Sequence, residues 1–294
     1  MVFDDKDLPG LWCDADDQSV RAQRRTLRLN RLRLCGAVLA AVGGALTWSI
    51  GKLDVWALVA LVGFATALIA ELILLTQQPQ RDWHSGRIVA ESAKTLAWRF
   101  AVCGEPFGSA LPADEARRIL HERMDGVARI GRDRLTISSG EMAVTSKMMR
   151  LRRASFAQRK RAYITGRTRR QQTWYSEQAA QNRRLAIRWQ IGMVLGEVVA
   201  LVLAAGRALD AWNIDWSGVL AAFVAASAAW SGIKQYSTLA SAYATAATEL
   251  AIQIDQLELS REDDWDRTVA DAEEAISREH TMWLASRSNP DGAA

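Results

Sequence analysis

The sequence predicts an all-α integral membrane protein with four transmembrane helices in two hairpins and long cytoplasmic helical extensions. Three observations carry this. Four apolar runs, 34–50, 55–75, 187–206 and 216–233, fall in two close pairs. Each approaches the roughly 20 residues a helix needs to cross a hydrocarbon core of about 30 Å. No proline occurs between Ala113 and Asn289, which leaves that stretch free for very long helices. The basic residues are segregated: 23 Lys and Arg against 10 Asp and Glu lie between Gln77 and Arg188, whereas the turns inside the two pairs carry only Lys52 and Arg207. The positive-inside rule then places both termini and the central region in the cytoplasm. A composition of 49% hydrophobic and 24% charged residues, ordinary for a soluble chain of 294 residues, hides this segregation.

Taken in order, residues 1–20 form an acidic segment, "MVFDDKDLPGLWCDADD", unlike the basic start of a signal peptide. A first hairpin module, 21–135, opens with Arg21, Arg24, Arg25, Arg28, Arg31 and Arg33. Its first span is short and interrupted by Gly36, Gly43 and Gly44. Trp48 and Trp56 flank its outer turn, and Trp212 and Trp216 flank that of the second module, 136–260. Trp83, Trp189 and Trp230 stand near the other span ends, where amphipathic rings collect at the membrane interface. The two turns echo one another, "KLDVWALVAL" with Asp54 and Trp56 and "NIDWSGVLAA" with Asp215 and Trp216, so the architecture repeats.

Pro79, Pro106 and Pro112 punctuate the first half, and glycines 126, 131 and 140 separate short helices. From Glu141 to Gly206 a nearly continuous helix is expected, with Gly166 as a bend. In the acidic end, 261–294, Trp265, Val269, Ala272 and Ile276 recur at helical spacing, which predicts an amphipathic helix packed on the basic central region and a frayed "SNPDGAA".

Catalytic signatures are missing. There is no Gly-rich phosphate loop and no HExxH, and His84, His121 and His280 lie far apart. "HERMD" at His121 reads as surface charge. Cys13, Cys35 and Cys103 have neither metal nor disulfide spacing and suit a reducing compartment. The expectation is no enzyme, no cofactor and no metal.

The cytoplasmic helices say more. Tyr163, Arg167, Gln171, Trp174, Gln178 and Asn182 recur at steps of three or four, with Tyr175 beside Trp174. A solvated face has no need of Trp and Tyr, and a plain core would not use Arg, Gln and Asn. The stripe suits a polar helix–helix interface. Nucleic-acid binding ranks second, because basic and aromatic residues interleave here; juxtamembrane basic helices already serve orientation and anionic lipid. In "RDWHSGRIVAESAKTLAWRF", Arg87, Glu91, Lys94 and Trp98 share one face, with Glu91 in pairing distance of both cations.

These segments, together with "GEPF" at Gly104–Phe107 and "QYSTLASAYATAATEL" after the fourth span, resemble a tandem protein of the SLATT family, the SMODS- and SLOG-associating two-transmembrane effector domains. The likeness runs from about residue 20 to residue 260. It implies a bacterial membrane effector, encoded beside nucleotide-sensing or nucleotide-synthesising partners, that perforates the inner membrane of an infected cell. The family offers no agreed catalytic residues to carry over.

Within the spans, small residues mark close packing. Gly192 and Gly196 make a GxxxG, Gly36, Ala40 and Gly44 repeat that spacing, and Gly63 and Ala67 follow in the second span. Glu197 falls about nine residues beyond Arg188, roughly 13 Å deep and near the midplane. Glu71 continues the Gly63–Ala67 face nearer the cytoplasmic end. A charge at the bilayer centre costs about 2.5–3.5 kcal/mol on insertion scales. Either the two carboxyls are protonated and hydrogen-bonded within a bundle, or they line a cation path.

The function expected is therefore a homo-oligomeric effector of the bacterial inner membrane, pore-forming or membrane-disrupting and switched by a cytoplasmic nucleotide-linked sensor. The alternative is a non-conducting scaffold whose basic helices recruit a partner or nucleic acid.

Overall fold

The computed structural model describes residues 3–50, 53–136, 143–211 and 215–288, with side chains described as far as 277. Lys52, Gly140, Glu141, Trp212, the His280 side chain and all of "SNPDGAA" after its first serine lie outside the described residues. Among the described residues, ten α-helices follow a short N-terminal 3-10 turn: α1 Gly10–Ala45, α2 Val55–Gln77, α3 Pro79–Val102, α4 Ala113–Gly131, α5 Ser146–Arg152, α6 Phe156–Tyr163, α7 Arg170–Ala208, α8 Trp216–Lys234, α9 Tyr236–Leu259 and α10 Trp265–Ser288. A π-helical stretch, Ile164–Arg169, joins α6 to α7.

The chain divides into two compact units interleaved along the sequence. One gathers Met1–Ala22, Arg81–Ala179 and Ser241–Ala294, the polar segments; the other gathers Gln23–Gln80 and Ala180–Ala240, which hold the apolar runs.

In the polar unit the core forms around α3. Val89, Ala90, Ala93, Ala97, Phe100 and Ala101 are buried along it. The C-terminal helix closes this core with Trp265, Val269 and Ala272, while Ile276 joins Tyr175, Ala246, Ala247 and Leu250 in a smaller cluster. The indole N–H of Trp265 donates to the Val102 carbonyl at 2.7 Å. Arg152, buried on α5, donates to the carbonyls of Phe100, Phe107, Gly108 and Leu111 and so fixes the loop after α3. Burial pushes the neighbouring Cys103 thiol above its usual range.

In the apolar unit α1 and α2 pack antiparallel through small residues. A Cβ on Gly36 would lie 2.9 Å from the Ala67 nitrogen, one on Gly63 2.5 Å from the Ala40 nitrogen, and one on Gly43 2.5 Å from the Ala60 nitrogen. Only glycine lets two backbones approach so closely. Both returning helices are built alike. Asp54 caps α2 by accepting the N–H groups of Trp56 and Ala57; Asp215 caps α8 by accepting that of Gly218. Each then ends on a left-handed glutamine, Gln78 with φ 44° and Gln235 with φ 50°, before the next helix starts. The echo between the two turns is thus a repeated device for starting and stopping a helix.

Among the described residues, three helices are long and apolar enough to cross a membrane: Val55–Gln77, Phe156–Ala208 and Trp216–Leu259. The first expected span differs. Its helix stops at Ala45, and Ser49–Ile50 pairs instead with Leu53–Asp54 in a two-residue antiparallel hairpin. The apolar part of α1, 34–45, is therefore about 18 Å long by helical rise. The long central helix also starts later than expected. Arg153–Ser155 interrupt the chain after α5, and the continuous stretch is Phe156–Ala208. Ser155 caps it with a capping box closed by Gln158, which explains the break in physical terms. Gly166 produces no break and lies within the π-helical stretch.

Candidate functional site

The polar stripe and the α3 face meet in one place. Glu273 on α10 is completely buried and its two oxygens accept four hydrogen bonds. Oε1 accepts the Tyr163 hydroxyl at 2.9 Å and Arg167 Nε at 3.0 Å; Oε2 accepts Arg167 Nη2 at 2.9 Å and the Thr95 hydroxyl at 2.9 Å. Tyr163 and Arg167, four residues apart at the start of the π-helical stretch, lie on the same side toward α10. A Cβ on Gly166 would lie 3.0 Å from Trp98 Cη2, so glycine admits the indole beneath the widened turn. Trp98 packs edge-on to Phe3 and Tyr163, and Tyr163 edge-on to Trp265.

Electrostatics act on the two donors Tyr163 and Arg167. Burial lifts the Tyr163 hydroxyl well above its usual range, and the Glu273 charge lifts it further, so it stays a neutral donor. Burial alone would lower the Arg167 pKa, but the Glu273 carboxylate outweighs it and the guanidinium stays charged. Arg167 Nη1 is buried and has no hydrogen-bond partner among the described residues.

Above this pair opens a pocket of about 260 Å³, where Arg167 and Gln171 meet α3 and the N-terminal segment. Arg87 bridges Glu91 at 2.8 Å and Asp16 at 3.6 Å. Lys94 bridges Asp5 at 2.8 Å and stands over the Trp12 ring at 5.5 Å. Arg170 approaches Asp5 at 4.0 Å. Burial raises the Asp16 pKa, with Arg87 opposing the shift and Glu91 adding to it. The pocket's cations are thus already matched by the chain's own carboxylates. It can admit a charged partner only by exchanging these internal ion pairs for external ones.

Arg87, Glu91, Lys94, Trp98, Tyr163, Arg167, Gln171, Trp174 and Tyr175 all belong to the polar unit. Trp174 borders the pocket and stacks edge-on with Tyr175 and Tyr243. Asn182, the last residue of the stripe, lies in the apolar unit and is buried there. Sequence reasoning missed Glu273, Thr95, Asp5, Asp16 and Trp12. A signal existed for Glu273: it sits four residues after Val269 and three before Ile276, a charge inside the apolar stripe of α10.

In the apolar unit, Glu71 is held by Arg33 at 2.6 Å. Glu197 is exposed on α7 and makes no hydrogen bond or ion pair among the described residues. Gly63 and Ala67 lie against α1, while a Cβ on Gly196 would meet only Val224 Cγ2 at 2.8 Å and one on Gly192 would meet nothing within 4 Å.

Two family models match the chain in tandem, each running through both units. Residues 9–160 match the SMODS and SLOG-associating 2TM effector domain 3, and residues 163–283 match the SMODS and SLOG-associating 2TM effector domain 1. The chain belongs to the SLATT family. It is accordingly a tandem of membrane effector domains, and the buried Tyr163–Arg167–Glu273 centre joins residues of the second matched domain, with Thr95 contributed by the first. Neither a curated protein nor a solved structure matches it.

Proposed function

We propose that this SLATT protein is an effector of the bacterial inner membrane that oligomerises and opens a cation-conducting path when a nucleotide-linked cytoplasmic partner engages its polar unit. In this reading α1, α2, α7 and α8 provide four spans in two hairpins, and both termini face the cytoplasm. The segregation of basic residues supports that orientation. The family description, associating these effectors with SMODS and SLOG domains, supports a partner on the cytoplasmic side.

Glu197 carries the proposal. It lies midway along the apolar stretch of α7 and is exposed, with no partner in its own chain among the described residues. Turned toward lipid, the carboxylate costs about 2.5–3.5 kcal/mol. In a closed homo-oligomer the same face turns inward and becomes a ring of carboxylates around a water-filled path, which favours cations. The short apolar part of α1 supports the same role, since a segment shorter than the hydrocarbon core thins the bilayer around it.

Reversal potential in a salt gradient across planar bilayers tests this, with wild type and Glu197→Gln at equal incorporation. The variant should fold normally and lose cation preference, and Glu197→Lys should reject cations. Equal reversal potentials would remove Glu197 from the path. No current from the wild type, even with its cognate partner added, would defeat the channel itself.

A further inference from the structure

We infer that the apolar unit carries a binding site for one anionic phospholipid of the inner leaflet, with its phosphate on Arg31 and an acyl chain in the groove between α1 and α8. This rests on the membrane reading proposed above. The groove encloses about 420 Å³ and is lined by Leu34, Val38 and Val42 of α1, Phe223 and Ala226 of α8, and Trp189 of α7. Its walls are apolar along their length and open to the side, since Leu39 and Phe223 on its rim are largely exposed.

Length and charge decide the occupant. From Arg31 to Val42 the groove follows α1 for about 16 Å, close to the roughly 15 Å of one hydrocarbon leaflet. One end is cationic. The Arg31 guanidinium lies 5.0 Å from the centre of the Trp230 ring, and Lys234 Nζ lies 5.9 Å from the same centre. Arg31 is exposed and forms no ion pair among the described residues. A guanidinium presents paired donors that match a phosphodiester, and an aromatic ring at this depth is at home among headgroups.

A helix from a second copy fits the groove less well, because the apolar unit has no acid to set against Arg31. Its five acidic residues are Asp54, Glu71, Glu197, Asp210 and Asp215. Glu71 is already held by Arg33. Glu197 lies mid-span, and the other three stand at the opposite ends of the helices. A lipid brings the apolar chain and the anion together.

The groove carries its own reporter, the exposed thiol of Cys35. In neutral detergent, the full-length chain is labelled with N-ethylmaleimide and modification at Cys35 is read by peptide mass spectrometry. Added ligands are phosphatidylglycerol, phosphatidylcholine with the same chains, and inorganic phosphate. Phosphatidylglycerol should slow labelling saturably, at about fivefold lower concentration than phosphatidylcholine, the factor expected from one basic residue at a headgroup. Inorganic phosphate should not protect. Arg31→Gln should erase the fivefold preference, whereas Arg28→Gln, an exposed arginine on the same helix outside the groove, should keep it.

Equal protection by the two lipids, or protection by inorganic phosphate, overturns the site. So does an equal effect of Arg28→Gln and Arg31→Gln, which would mean general surface charge. Protection that rises with protein concentration in the absence of lipid assigns the groove to a second copy and also overturns it. Flotation with liposomes separates the two readings. A chain that floats yet shows no lipid protection loses only the lipid site, whereas one that fails to float loses the membrane assignment and the site with it.

Discussion

Replacing Glu273 by glutamine exchanges one carboxylate oxygen for an amide NH₂ and removes the charge. Each oxygen now accepts two donors, one of them a guanidinium N–H, so whichever is replaced leaves donor facing donor. Arg167 would keep a buried positive charge with its counterion gone. Removing one partner of such a pair costs about 3–5 kcal/mol. At about 2–4 °C per kcal/mol for a body of this size, Glu273→Gln should lower the melting temperature by about 6–20 °C. Intrinsic tryptophan fluorescence of the detergent-solubilised protein is a suitable readout, because Trp98 and Trp265 each lie 5.9 Å from the Tyr163 ring. Arg167→Met should cost as much. The double variant, Glu273→Gln with Arg167→Met, removes both charges and should recover much of the loss, since no buried charge is left without its counterion. A coupling energy of at least about 2 kcal/mol is expected from the cycle. Additive costs, or single variants within about 2 °C of wild type, would refute the claim that this pair organises the polar unit.

Two further outcomes follow from the geometry. Gly63→Ala should destabilise the apolar unit by about 1–3 kcal/mol, because its Cβ would meet the Ala40 nitrogen at 2.5 Å; Gly192→Ala, with open space around it, should not. Equal melting temperatures for the two variants would mean that α1 and α2 do not pack as described. At acid pH, the Asp7–Lys147 pair sets a limit. Burial pushes the Asp7 carboxyl up, but Lys147 and the Asp4 N–H outweigh it and hold the pKa below the ordinary 3.8. A depressed carboxyl contributes stability that is present above 3.8 and lost as pH falls through the folded-state value. Asp7→Asn should therefore lose less stability than wild type between about pH 5 and the acid limit. Parallel melting curves of the two proteins against pH would refute that role.

Much of the chain's character was legible in local chemistry. Apolar runs of membrane length mark α2, α7 and α8, because a helix that must satisfy its backbone in lipid needs a long unbroken apolar surface, and that is a property of consecutive residues. The Asp–Trp echo at Asp54 and Asp215 was equally local, and both aspartates do cap the helices that follow them. The stripe at Trp265, Val269, Ala272 and Ile276 identified the buried face of α10 for the same reason, since helical periodicity sorts residues before any partner is known. In α1 the expected span outran the helix by the five residues 46–50, because strand pairing of Ser49–Ile50 with Leu53–Asp54 competes with further helix and is not visible as a pattern.

What only the tertiary structure decided is which distant residues meet. In sequence, Arg87 and Lys94 were paired only with Glu91 on their own helix, and Arg167 stood out as unusual for a plain core but had no partner there. Their tertiary partners are Asp16, Asp5 and Glu273, far away along the chain. Helical spacing fixes contacts three or four residues apart, whereas a pair 106 residues apart depends on how the π-helical stretch before α7 approaches α10 in the polar unit. Likewise the small-residue stripe Gly36–Ala40–Gly44 was readable, but which of its members touches a backbone was not: Gly36 does and Gly44 does not. Sequence establishes the faces that helices must bury, and packing alone chooses what each face meets.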